Sequence, residues 1–149
     1  MSNGLIEYKY NLQFEAQLSE TDLELYCFRR NHPREHGGLG AFGHFKNAAN
    51  LIWPKLIWNP WLEKQIESLC ENQWVCWAGC GASGKTYAAS LYAMVYFFAN
   101  PLKTSVILTS TTAKMIRKRS WPVIQELYRT SARRNPCHMV DSKTTLQAI

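Results

Sequence analysis

Trp74-Val75-Cys76-Trp77-Ala78-Gly79-Cys80-Gly81-Ala82-Ser83-Gly84-Lys85-Thr86, followed by the apolar run Tyr87 to Ala99, is the stretch that decides the expected fold. Residues 79–86 fit G-x-x-x-x-G-K-[ST], and the flanks supply the strand-like entry and helix-like exit that such a loop requires. Glycines let a backbone wrap closely around a polyphosphate, while amides of the loop and the helix N-terminus point at the anion. On this pattern Gly79, Cys80, Gly81, Ala82, Ser83 and Gly84 form the cradle. Lys85 neutralises the β and γ charges and acts as the catalytic cation, and Thr86 ligates Mg²⁺. The spacing predicts binding of a nucleoside triphosphate, with ATP and Mg²⁺ as cofactors.

The residues around the loop extend this into an α/β expectation. After Asn100-Pro101, Thr104 to Thr109 is a β-branched run of the buried-strand type, and a helix follows from about Thr112 to Arg129, kinked or restarted at Trp121-Pro122. Strand, helix, strand, helix after a glycine loop begins a parallel sheet flanked by helices. Upstream, Asn59 can cap a helix running from Pro60 to Cys70, with Leu62, Ile66 and Leu69 on one face. A second helix is expected over Phe45 to Trp53. Thr21-Asp22-Leu23-Glu24 has a capping-box pattern opening a helix to about Arg29, and Asn31 to Gly43 reads as loop. Ile6, Tyr8, Tyr10, Leu12 and Phe14 alternate with polar residues as in a half-buried strand. The organisation predicted is an N-terminal strand, helix and Gly/His-rich loop over 1–58 and the nucleotide-binding portion over 59–149.

Composition bounds the function classes. With 46% hydrophobic and 19% charged residues, the 149-residue chain has the make-up of a soluble domain. No signal-peptide pattern opens it, and the apolar run Ala88 to Ala99 is too short to span a bilayer, so a cytoplasmic location without membrane partners is expected. The five cysteines, Cys27, Cys70, Cys76, Cys80 and Cys137, lack paired spacing and read as reduced thiols. The net charge of +6 is unevenly spread: seven bases against nine acids up to Gly79, then ten bases against only Glu126 and Asp141. One lysine for ATP does not account for that excess. A second polyanion, most simply nucleic acid, accounts for it, as does a merely solvated basic surface.

The run Trp74 to Tyr128, with its phosphate loop, then Thr104-Ser105-Val106-Ile107-Leu108-Thr109-Ser110-Thr111-Thr112, then Lys114-Met115-Ile116-Arg117-Lys118-Arg119-Ser120-Trp121-Pro122-Val123-Ile124, resembles the ATPase domain of the large terminase subunits of tailed bacteriophages. His44-Phe45-Lys46-Asn47-Ala48 and Asn59-Pro60-Trp61-Leu62-Glu63 are similar to that family's approach to its phosphate loop. The resemblance implies a RecA-like phosphate-loop NTPase fold, incomplete at the C-terminus, in a motor that couples ATP hydrolysis to packaging of DNA. It implies double-stranded DNA as partner, with Lys114, Arg117, Lys118 and Arg119 facing its phosphates. It also implies a small terminase subunit, a portal, an oligomeric ring formed on docking, and a bacterial host cytoplasm as location. Trp61 and Gln65 stand where related motors place an adenine-stacking aromatic and a glutamine; an amphipathic helix burying Trp61 with Leu62 and Ile66 is the other reading.

The chain departs from the family in two places. The loop interior, Cys80-Gly81-Ala82-Ser83, lacks the basic residue often found there. Hydrolysis also needs a strand ending in an acidic pair, and Asp141, preceded only by Met139-Val140, is a poor match. The chain therefore reads as the N-terminal portion, or a truncated or split version, of a motor, with little turnover alone. The alternatives are another enzyme with a phosphate loop, helicase or kinase, and a non-catalytic remnant that binds ATP or DNA. Other patterns are weaker. Gly38-Leu39-Gly40-Ala41-Phe42-Gly43 lacks the preceding strand of a dinucleotide site, and Cys27, His32, His36 and His44 fit no standard zinc spacing. Cys137 and His138, adjacent in a strand, would face opposite ways.

Overall fold

In the computed structural model, residues 18–30, 39–101, 103–132, 137–138 and 147–148 are described. Helix α1, Glu20–Arg30, starts at Ser19, whose Oγ accepts from the Asp22 amide at 3.2 Å and donates to Asp22 Oδ2 at 2.6 Å. The cap thus lies two residues before the expected Thr21. Helix α2 is Gly40–Ile52, so Gly40 to Gly43 are helical and not the end of a loop. Packing overrides the low helix propensity of glycine there. Phe45 is fully buried and stacks on Tyr92 at 5.6 Å, and Phe42 meets Trp58 edge-on at 6.4 Å. A Cβ at Gly43 would come within 2.8 Å of Leu39 Cβ, so that turn of helix tolerates glycine and little else.

Helix α3, Pro60–Glu71, forms as the sequence predicts: Asn59 Oδ1 accepts from Leu62 N at 3.0 Å, and Leu62 and Ile66 are buried. Helix α4, Lys85–Ala99, is apolar nearly all round and therefore takes the centre. Its Ala88, Leu91, Met94, Val95 and Phe98 are buried against α1, α2, α3 and the C-terminal helices. Each fully buried Leu or Phe of this kind contributes roughly 1.5–3 kcal/mol. Helix α5, Ala113–Met115, is capped by Thr112, passes into a π-turn over Ile116–Ser120, and resumes as α6, Trp121–Thr130. Two hydrogen bonds fasten α6 to the end of α2: Trp53 Nε1 donates to Leu127 O at 2.7 Å, and Ala132 N to Ile52 O at 2.8 Å.

The expected parallel sheet of a RecA-like fold is absent among the described residues. The only strand pairing there is an antiparallel ladder of β1, Cys137–His138, with β2, Gln147–Ala148. Residues 74–78 and 104–109, predicted as strands, have no regular secondary structure. The first keeps a strand's alternation, with Val75 and Trp77 half-buried between exposed Trp74, Cys76 and Ala78. Trp77 Nε1 donates to Ser68 Oγ at 3.0 Å, and Leu108 packs on the helical core. Each segment lies on helices with its inner side while its outer side stays uncovered: Trp74 is 87% and Ile107 80% exposed. A β-branched run marks a preference, and a strand exists only with a neighbour to pair with. The expected strand at Ile6 to Phe14 and most of the Asn31 to Gly43 loop lie outside the described residues. Among those described, no helix is long and apolar enough to cross a membrane.

Candidate nucleotide-binding site

The glycine loop connects residues 74–78 to the N-terminus of α4, where the first backbone N–H groups have no intrahelical partner. Gly84 takes the N-cap with a left-handed φ of 79°, and Ala82 is also left-handed at 63°. That pair of reversals coils the loop over its own lysine. Lys85 Nζ donates to Gly79 O at 3.0 Å, Cys80 O at 2.7 Å and Ser83 Oγ at 2.6 Å. A Cβ at Gly79 would sit 3.3 Å from that ammonium, so the glycine keeps the centre of the loop clear. The loop thus presents a cation held at its middle, the N-terminus of a fifteen-residue helix behind it, and Thr86 exposed in the first turn of that helix.

Beside the loop lies a cavity of about 560 Å³. Its floor is Ala82, Ser83 and Gly84, and its sides come from α3 and from the turn after α2. Gln65 Nε2 donates to Ser83 O at 3.3 Å, which ties α3 to the loop and leaves the other amide atom free for a ligand. Trp61 lines the cavity and is 72% exposed, so the reading that buries it with Leu62 and Ile66 is set aside. The sequence reading missed Ile57, Lys55 and Tyr87, which also line it. Tyr87 carried a usable signal, since the third residue of a helix that opens at a phosphate loop must turn towards the loop's rim. Burial raises the Tyr87 phenol above its usual range, so it stays a neutral donor.

A second cavity of about 740 Å³ adjoins the first and is more apolar, built from Trp53, Pro54, Pro122, Val123 and Leu127 with Glu126 and Thr130. Lys55, Leu56 and Tyr87 form a wall common to both.

The remaining candidates divide. Lys114, Arg117, Lys118 and Arg119 are all exposed, with no ion pair among the described residues. Ile116 is half-buried, whereas Met115 is 38% exposed. Among the described residues no carboxylate lines the loop cavity. Glu126 lies in the apolar cavity, and Asp141 lies outside the described residues. No cluster of His, Cys, Asp or Glu among the described residues could hold a metal: Cys27 is buried in α1, and His44 Nδ1 pairs with Glu24 Oε2 at 2.8 Å. His32 and His36 lie outside the described residues, as do the side chains of Cys137 and His138. No family model, curated protein or solved structure matches the chain.

Proposed function

We propose that the chain binds Mg·ATP with its triphosphate on residues 79–86 and its base in the adjoining cavity, against Trp61 and within reach of Gln65. The observation that carries this reading is the position of Lys85 Nζ, held by three loop oxygens at the centre of a glycine coil that opens into that cavity. On binding, phosphate oxygens replace loop acceptors at the ammonium, and the free amides of α4 face the same anion. Thr86 would hold Mg²⁺, whose chemistry is to neutralise the β and γ oxygens. Titration of Mg·ATP into wild type and Lys85→Ala tests this, with binding strongly weakened in the variant.

The wider role, the ATP-binding part of a DNA-packaging motor, rests on the resemblance to large terminase subunits together with the exposed cations at 114, 117, 118 and 119. A backbone contact by three or four cations is weak, indifferent to sequence and salt-dependent, with log K falling against log salt at a slope of roughly −3. Alanine at Lys114, Arg117 and Lys118 together should flatten that slope and leave ATP binding unchanged. Equal DNA binding by the triple variant refutes the assignment. A second reading is ATP binding without turnover by this chain alone: among the described residues no carboxylate lines the loop cavity, and hydrolysis needs one to activate water. A steady-state rate of about 1 s⁻¹ or faster, in the range of ordinary enzymes, rules that reading out.

A further inference from the structure

The apolar cavity of about 740 Å³ takes no part in the reading given above, yet its walls are firmly set. One wall is the turn over residues 53–56 and the other is α6. The bond from Trp53 Nε1 to Leu127 O at 2.7 Å and that from Ala132 N to Ile52 O at 2.8 Å tie the two together. Between them Trp53 and Leu127 are buried, and Leu56 and Val123 half-buried. Trp53 commits its only donor to Leu127 O, so it offers the cavity a ring and no polar atom. A chamber of this size, mostly apolar with a few polar groups, is the usual form of a small-molecule site.

Two charged groups interrupt that lining, with opposite signs on opposite walls. Lys55 stands on the turn and Glu126 on α6. They form no ion pair with each other or with any other described residue. Both are exposed, on long side chains that can reach neighbouring groups of one ligand. Tyr87, also in the wall, keeps its proton because burial raises its phenol, so it adds no third charge. A ligand with a single charge is attracted by one wall and repelled by the other. An uncharged ligand gains from neither. Only a ligand with both signs, close together at one end of an apolar body, gains from both.

We propose that this cavity binds a small zwitterion with an apolar body, the chemistry of a free apolar or aromatic α-amino acid. Its carboxylate meets Lys55, its ammonium meets Glu126, and its side chain lies against Trp53, Leu56, Val123 and Leu127. Burial of the apolar body supplies the affinity, and the two ions supply the selection. At exposed ions each charge contact amounts to roughly a twofold to fivefold gain in affinity. The site does not depend on ATP binding at residues 79–86, which can fail without touching it.

NMR titration of the full chain at low ionic strength and neutral pH tests the idea with phenylalanine, phenethylamine and 3-phenylpropionate. The second lacks the carboxylate of the first, and the third lacks its ammonium. Phenylalanine is expected to shift amides of residues 53, 55, 56, 87 and 123–130 saturably, with Kd in the millimolar range. It should bind roughly twofold to fivefold more tightly than either analogue, a preference that added salt reduces. Lys55→Ala should erase the preference over phenethylamine and keep that over 3-phenylpropionate. Glu126→Gln should do the reverse. Both positions are exposed, so neither change threatens the fold. No saturable shift at these residues up to about 10 mM phenylalanine, equal binding of all three compounds, or tighter binding of either analogue overturns the proposal. So do variants that leave both preferences intact.

Discussion

Replacing Lys85 by alanine should weaken Mg·ATP binding by a calculable amount. An ammonium has three donors, and all three are committed in the resting loop, to Gly79 O at 3.0 Å, Cys80 O at 2.7 Å and Ser83 Oγ at 2.6 Å. A phosphate must displace at least one of these, so the gain is the difference between a bond to an anion and a bond to a neutral oxygen, repeated for each phosphate contact made. Charge-assisted bonds contribute roughly 1.5–3 kcal/mol and neutral ones about 1 kcal/mol. Two exchanged contacts at a loop partly open to water put the loss at about 2–3 kcal/mol, or roughly a 30- to 150-fold rise in Kd. The α4 amides and the base cavity remain in the variant, so some binding should survive. Isothermal titration at one fixed ionic strength measures this directly, with Lys85→Arg as the charge-retaining control. A change under about threefold would mean that the triphosphate does not lie on this loop.

Trp61→Ala should weaken ATP binding by about 1 kcal/mol from lost stacking, with an unchanged melting temperature because the ring is 72% exposed in the free protein; a marked fall in Tm would restore the core reading of Trp61. Ala82→Gly relieves a left-handed alanine and should stabilise the fold by about 0.5–1 kcal/mol, whereas Gly84→Ala should cost about 1–2 kcal/mol; thermal melts giving the opposite order would show that the loop is coiled differently. The Cys70 thiol is pushed up to about 12, by burial first and then by Glu71 and Glu67, and the Tyr92 phenol to about 12, by burial first and then by Cys70 and Tyr96. Both groups bind their protons more tightly when folded, so they support the fold fully below their unfolded pKa values of about 8.5 and 10 and lose that support as pH climbs towards 12. Denaturant midpoints should fall from about pH 9 upward, and less steeply in Cys70→Ala; a flat profile refutes the burial of both groups.

Local signals were legible and relational ones were not. Helix α3 could be read to within a residue, because Asn59, Pro60 and the stripe of Leu62 and Ile66 all act within one or two turns. The start of α4 is local in the same way, since Gly84 takes its N-cap and Lys85 folds back onto Ser83 within a few residues. The sheet failed because Val106 and Ile107 state a preference without naming a partner, and the structure leaves them 40% and 80% exposed. Helix α2 began five residues earlier than expected, since the fit of Phe42 and Phe45 among distant aromatic rings outweighs two glycines. The π-turn has no local code that was recognised: Ile116 to Ser120 are ordinary helix formers, and the insertion shows only against the anchors of α6. Ile57 and Lys55 entered the site through three-dimensional proximity alone.

Lys55, Leu56 and Tyr87 bound the loop cavity on one side and the apolar cavity on the other, so the two compartments share a party wall. Nothing can press on one face of such a partition without altering the room on the other. Thermodynamic reciprocity then requires that a molecule seated among Pro54, Val123 and Leu127 change nucleotide affinity by the same factor as nucleotide changes its own. For inhibitor discovery this makes the oily chamber, which has no phosphate to mimic, the more tractable doorway to the proposed site. A compound library screened twice, with and without saturating ATP, would sort its hits into those that wedge the partition open and those that hold it shut.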